Sequence, residues 1–379
     1  MATRMPAPAP SIPGFTHLRV LGAGGFADVH LYAQERPRRE VAIKVLLDGV
    51  VNPSVVAAFN SEADIMAALG AHPSILTVHA SGISTDGRPY LVTEYCPGGF
   101  GESFRQAPLP VAEVLAIGVK MASALESAHR LNVLHRDVKP GNILLTSYGA
   151  PVLSDFGIAA SLRAGEESSL LAMSVPWTAP EVITGATTGT VATDVWGLGA
   201  TLYSLLAGYS PFELPEKGAN TREQLAKRIL KSRPTAWGRT DVPQELAIVL
   251  GAALNKDPLK RPATMLELGR ALQDVQRTLR QPITPIEFDT NAAARGEIDF
   301  SNTSTGSTPR SQVAVTSTRK GRASTSPSTT AASNLPATKT ARTYVRTVAT
   351  ARASGWLVFA IVALAGLATL FALAILGVF

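Results

Sequence analysis

The stretch LGAGGFADVH, residues 21–30, constrains the chain more than any other. Gly22, Gly24 and Gly25 suit a tight turn whose backbone N–H groups can approach a phosphate. The flanks decide the geometry. Beyond the turn, Val29, Leu31 and Ala33 alternate with Asp28, His30 and Gln34, and this period of two predicts a strand, not a helix. The glycines therefore mark the tip of a hairpin. A dinucleotide site needs strand, turn and helix, with an acidic residue about 20 positions on for the ribose. That region instead reads VAIKVL, residues 41–46, and its polar member Lys44 suits phosphate, not ribose hydroxyls. A P-loop is excluded because no Gly-Lys-Ser/Thr follows the glycines.

A length of 379 residues allows one large domain or two ordinary ones with tails. The single cysteine, Cys96, rules out an intrachain disulfide and is compatible with a reducing compartment. The formal net charge is +6, but its location matters more, since residues 301–355 hold eight Lys and Arg and no acid. The basicity thus belongs to a tail. No interleaving of cations and aromatics accompanies it, which argues against nucleic acid as a partner.

Composition divides the chain into four parts. Residues 1–14 are rich in Pro and Ala, lack the apolar core of a signal peptide and are expected to be disordered. Residues 15–280 are globular in composition. Residues 281–355 read as a basic linker, with 23 Ser or Thr among the 55 residues from 301 to 355, too polar to offset chain entropy by burial. Residues 356–379 carry no charge. At about 1.5 Å per residue they make a helix roughly 36 Å long, enough to span a hydrocarbon core of about 30 Å. Arg342, Arg346 and Arg352 precede this run and Trp356 opens it, so the positive-inside rule places the N-terminal bulk in the cytoplasm. A single-pass protein of the cell membrane is expected. A homodimer through Ala368 and Ala372, small residues four apart, is compatible with such a span.

Within the globular part further segments follow in a fixed order. FNSEADIMAAL, starting at Phe59, places Ala63, Ile65, Met66 and Leu69 at helical spacing, with Glu62 in the first turns. LHRDVKPGNILL covers residues 134–145. VLSDFGIA carries Asp155, Phe156 and Gly157 after a short apolar run, and Ala179-Pro180-Glu181 closes the segment beyond it. In this order the segments resemble the protein kinase domain over residues 15–280. The resemblance implies an α+β bilobal fold. A small lobe (15–95) has an antiparallel sheet and one main helix, and a larger helical lobe (96–280) follows.

The resemblance also assigns roles. The loop residues Leu21, Gly22, Ala23, Gly24, Gly25, Phe26, Ala27, Asp28 and Val29 would cover ATP, with Ala27 standing where the family has a third glycine and changing the loop's grip in degree. Ala42, Glu94, Cys96 and Leu144 would frame the adenine, with Thr93 at the back, and Cys96 reads as a small linker residue. Lys44 would pair with the α- and β-phosphates and with Glu62. Asp137 would accept the proton of the acceptor hydroxyl, and Lys139 is the residue of Ser/Thr kinases that steadies the transferring group. Asn142 and Asp155 would hold Mg²⁺, or Mn²⁺ in its place. Asp194, Glu181 and Arg261 are read as structural. Ser168, Ser169 and Ser174 are candidate phosphorylation sites in the activation segment, where Arg136 would receive a phosphate. Met173 replaces a family glycine there. The histidines show no ligand pairing.

The basic linker and terminal apolar run resemble the layout of bacterial membrane-anchored Ser/Thr kinases. The implied activity is γ-phosphoryl transfer from Mg-ATP to protein Ser or Thr, including the enzyme itself, in membrane-tethered signalling. Two alternatives fit less well. A membrane-tethered pseudokinase scaffold would lack Lys44, Asp137 or Asn142, and all are present. A small-molecule phosphotransferase is disfavoured by the APE segment and the long loop before it.

Overall fold

A computed structural model of the chain describes residues 4–156, 174–216, 218–231 and 233–287. All lie in the first of two compact units, Met1–Ser301. The glycine tip joins two antiparallel strands, β1 (Phe15–Ala23) and β2 (Ala27–Gln34), paired from Phe15 opposite Gln34 to Ala23 opposite Asp28 with register shifts between His17 and Arg19 and between Val20 and Gly22. Gly24 needs to be glycine, because a Cβ there would meet the Ala27 carbonyl at 2.9 Å. β3 (Arg39–Leu46) carries the lysine and pairs with β2. Helix α1 (Pro53–Leu69) follows, then β4 (Val78–Ile83) and β5 (Pro89–Glu94). The five strands order as β1-β2-β3-β5-β4, every neighbour antiparallel.

Local chemistry starts α1. Asn52 caps it by accepting the Val55 N–H at 2.9 Å, and Pro53 takes the first turn, where no N–H is needed. Val55, Phe59, Ala63, Met66 and Leu69 form its buried stripe, and Glu62 lies on the same stripe. A carboxylate there requires a partner, and β3 supplies it.

The second lobe begins with β6 (Gly98–Gly99), α2 (Ser103–Gln106) and α3 (Val111–Arg130). β7 (Ile143–Leu145) and β8 (Pro151–Leu153) complete a three-stranded sheet of order β6-β7-β8. Helices α4 (Pro180–Ile183), α5 (Val191–Ala207), α6 (Arg222–Lys231), α7 (Gln244–Ala253) and α8 (Met265–Thr278) follow. α5 is apolar on every side and buried along nearly its whole length, which makes it the axis of this lobe. Thr190 and Thr193 close a capping box at its start. Gly197 lets the loop after α3 lie against this helix, since a Cβ would meet Val138 Cβ at 3.1 Å.

Two boundaries differ from the sequence reading. Residues 4–14 form an ordered arm laid on the first lobe instead of a disordered tail. Ile12 is 2 % exposed, and the carbonyls of Pro8, Pro10 and Ser11 accept from Arg88 (2.9 Å), Tyr32 (2.7 Å) and Thr85 (2.9 Å). The Pro- and Ala-rich composition misled because the arm docks mainly through its carbonyls, and a Pro-rich segment has less freedom to lose. At the other end, residues 281–287 continue the folded unit. Thr284 bonds Gln273 and Gln276 of α8, Ile286 packs beside Gly269, and the Glu287 N–H reaches Ser123 Oγ at 2.8 Å.

Among the described residues no helix is long and apolar enough to cross a membrane. The linker beyond residue 287, the apolar run 356–379 with Ala368 and Ala372, and Gly157, Ser168, Ser169 and Met173 lie outside the described residues.

Candidate active site

A cavity of about 470 Å³ opens between the sheet of the first lobe and β7. Leu21, Gly22, Val29, Ala42 and Leu144 supply apolar walls, and the strand end at Thr93, Glu94, Tyr95 and Cys96 forms one side. Lys44, Glu62 and Asp155 supply its charge. A flat apolar slot with a charged end suits a purine attached to phosphates.

Lys44 Nζ sits between two carboxylates, 3.0 Å from Glu62 Oε1 and 2.7 Å from Asp155 Oδ1. Burial alone would lower the lysine, but the Asp155 and Glu62 charges outweigh it and hold the ammonium above the ordinary lysine range. Burial pushes Glu62 up, with Lys44 pulling against it. The Lys44 ammonium holds Asp155 below the usual carboxylate range. Asp155 also has φ 55°, a left-handed conformation rare outside glycine, and its side chain stays 48 % exposed toward the cleft. An ionised, accessible carboxylate held in a strained backbone is suited to receiving a cation.

The loop between α3 and β7 carries the second group. Lys139 Nζ lies 2.6 Å from Asp137 Oδ2 and 2.9 Å from Ser174 Oγ. Asn142 donates its Nδ2 to the Asp137 carbonyl at 2.8 Å, a bond that does not use its amide oxygen. Asn142 and Asp155 thus offer an amide and a carboxylate oxygen, the donor set a hard divalent ion such as Mg²⁺ prefers.

This loop is fixed from below. Asp194, 1 % exposed on α5, accepts the backbone N–H groups of His135 (2.9 Å) and Arg136 (2.8 Å), and its Oδ2 lies 2.8 Å from His129 Nε2. Arg136 can therefore hold φ 64°. The His135 ring bonds the Ser154 carbonyl at 2.9 Å and lies 4.8 Å from the Phe156 ring, tying this loop to the strand that delivers Asp155. Glu181 and Arg261 form a two-point ion pair (2.6 and 2.8 Å), and the guanidinium lies 4.9 Å over the Trp196 ring. These contacts are remote from the cavity and brace the segment that ends in APE.

Of the loop residues singled out in the sequence, Leu21, Gly22 and Val29 line the cavity. Ala23, Gly24, Gly25 and Phe26 occupy the hairpin tip or its approach, outside the lining. Ala27 is buried in the apolar core with Leu46. Asp28 departs from a role at the nucleotide, because its carboxylate is wholly buried on the opposite face, bonded to Arg4 and to the Ala7 N–H. Burial, helped by Glu94, pushes the Cys96 thiol up to about 12, so it stays a protonated wall residue. Sequence reasoning missed several lining residues. Met66 lies one helical turn after Glu62 and was legible from that spacing. Leu76, Leu91 and Arg19 belong to no motif, and Arg19 reaches across the cavity mouth to the Tyr95 hydroxyl at 2.8 Å.

Comparison with known proteins agrees with this geometry. The protein kinase domain model matches residues 15–272. Serine/threonine-protein kinase PknK of Mycobacterium tuberculosis is 40 % identical over 280 residues, covering 71 % of this chain and 25 % of that protein. PknF of the same species is 34 % identical over 273 residues, 68 % of this chain and 56 % of the relative. Human ribosomal protein S6 kinase alpha-4 is 32 % identical over 282 residues, 72 % and 35 % of the two chains. The match thus spans about a quarter of PknK and just over half of PknF. With the domain model matched over residues 15–272, well over half of its length, the chain belongs to the protein kinase domain family.

Proposed function

We propose that this chain is an ATP-dependent serine/threonine protein kinase. The observation that carries the reading is Lys139, whose ammonium joins the Asp137 carboxylate to a serine hydroxyl, that of Ser174, at 2.6 and 2.9 Å. A small aliphatic hydroxyl beside the base fits a site for Ser or Thr acceptors. Asp137 accepts the acceptor's proton and directs its oxygen in line. Lys139 offsets charge that gathers on the moving phosphoryl group. Lys44, kept ionised by Glu62 and Asp155, holds the phosphates that stay behind. Asn142 and Asp155 would hold Mg²⁺, which would supply positive charge to offset that of the phosphates. A pseudokinase scaffold would lack Lys44, Asp137 or Asn142, and this chain keeps all three together with Asp155.

In the finer reading the enzyme is a single-pass protein of the cell membrane, anchored by residues 356–379 with its kinase domain cytoplasmic. It autophosphorylates at Ser168, Ser169 or Ser174. The charge-free length of the apolar run and the arginines before it support the first point, and the proximity of Ser174 to Asp137 supports the second. The test is phosphate incorporation into a generic basic protein and into the chain itself, from Mg-ATP, by membrane and soluble fractions. Wild type should label both substrates from the membrane fraction, and Asp137→Asn should fall by at least about 10²-fold. Equal labelling by both proteins would overturn the reading.

A further inference from the structure

Asp28 poses a problem that the chemistry of the cleft does not answer. It follows the glycine turn directly, yet its carboxylate is fully buried and faces away from the cavity. A buried carboxylate survives only with partners, and both of its oxygens find them in the N-terminal arm. Oδ1 accepts from the Arg4 guanidinium, and Oδ2 accepts the Ala7 N–H at 2.7 Å. A second Arg4 contact goes to the hairpin tip, where Nη2 lies 3.5 Å from the Gly24 carbonyl. Gly24 in turn donates its N–H to the Ala27 carbonyl at 2.9 Å, so the arm touches both ends of the turn.

The arm is itself anchored elsewhere. Pro8 accepts from Arg88 and Ser11 from Thr85, both in the turn between β4 and β5, and Ile12 is buried. It therefore runs as a strap between the glycine turn and a turn at the far edge of the sheet. An apolar residue at position 28 would satisfy packing more cheaply than a carboxylate that needs a cation from another segment. The charge makes sense if it fixes where the turn sits.

We infer that Arg4 and Asp28 are positioning residues for ATP, with the arm holding the glycine turn in the place from which its backbone N–H groups meet the phosphates. This rests on the kinase reading of the cleft. A turn free to swing pays an ordering cost on each binding event, and the strap pays it in advance. The benefit falls on ligands that carry phosphates. Adenosine, which reaches only the walls and the strand end, gains nothing from it.

The test measures binding of Mg-ATP and of adenosine to the full chain by calorimetry, for wild type, Arg4→Ala, Arg4→Lys and Asp28→Asn. Arg4 is partly exposed, so Arg4→Ala keeps the experiment valid even if Asp28→Asn fails to fold. Arg4→Ala should weaken Mg-ATP binding about three- to tenfold, the scale of one charge-assisted hydrogen bond, and leave adenosine within twofold. Arg4→Lys should recover part of the loss. In steady-state assays KM for ATP should rise by the same factor while kcat holds within about twofold. Unchanged Mg-ATP affinity in Arg4→Ala, or an equal loss for adenosine, would overturn the inference and leave the kinase reading intact. A wild-type chain that binds no Mg-ATP would overturn the kinase reading and the inference with it.

Discussion

The glycine turn and the loop between α3 and β7 are held in opposite ways. The catalytic loop is fixed from within its own lobe. Asp194 gathers three donors beneath it, Thr201 Oγ1 bonds the Val138 carbonyl at 3.3 Å, and Gly197 makes room for Val138. The glycine turn has a strand ladder on its flanks, a bond from the Leu47 N–H to the Phe26 carbonyl at 2.9 Å, and the strap from residues 4–12. The contrast follows from the tasks. Under the proposed function, a base and a metal ligand must hold position to a fraction of an ångström, and a rigid helix with a buried carboxylate achieves this. A phosphate cover must admit and release its ligand, so it draws on a segment of low local stability and is steadied from outside.

Removing Asp194 is the hardest test of this contrast. Asp194→Ala leaves two backbone N–H groups and an imidazole buried with no acceptor, at a cost of about 3–5 kcal/mol. Asp194→Asn keeps one acceptor oxygen and should lose roughly half as much. Urea unfolding followed in the second lobe reads both values. A loss below about 1 kcal/mol for the alanine variant would mean that packing alone fixes the loop, and the comparison would collapse.

The sequence carried one loop better than the other, and the reason is physical. Lys44 touches Glu62 and Asp155, and Asn142 touches Asp137, contacts within reach of sequence because each motif encodes both a side chain and the local backbone that aims it. Asp194 was legible as structural for the same reason. Asp28 was not, since its partner Arg4 lies in a Pro- and Ala-rich segment with no periodicity to place it. A docking mediated by backbone carbonyls leaves little trace in residue type. Leu76 and Leu91 were invisible on similar grounds: an apolar wall residue looks like any core residue until topology brings it to the cavity.

Acidification should separate the two lobes. His30, His72 and His79, all in the first lobe, have pKa values lowered, chiefly by burial. His30 is the clearest case, because both ring nitrogens are buried with no hydrogen-bond partner, beside His17 and under the influence of Asp28 and Arg88. A depressed histidine pKa means that the unfolded chain binds more protons. The stability these rings contribute is therefore complete above the unfolded value of 6.5 and is lost as pH falls below it. Hydrogen exchange at pH 7.5 and 5.5, corrected for intrinsic rates, should show more opening in β1–β3 than in α5 and α8. His30→Phe should shrink that difference. Equal loosening of both lobes would remove acid sensitivity as a distinction between them.

The smallest effect probes the strap by one atom. Tyr32 on β2 is fully buried, and its hydroxyl donates to the Pro10 carbonyl at 2.7 Å. Burial pushes the phenol up to about 12, so it remains a donor throughout the physiological range. Tyr32→Phe keeps the ring and its packing against His17 and removes only that donor, leaving the Pro10 carbonyl unsatisfied beside an apolar edge. The expected cost is about 1 kcal/mol, a fall of a few degrees in the Tm of the first lobe. Because the change lies in the middle of the strap, exchange should rise in residues 4–12 and at the glycine turn while the catalytic loop stays unchanged. Exchange rising equally in the catalytic loop would show that the arm steadies the whole domain and not the turn alone. A rise confined to the arm would separate its docking from the turn, leaving the contacts of Arg4 and Ala7 with Asp28 and Gly24 to link the two.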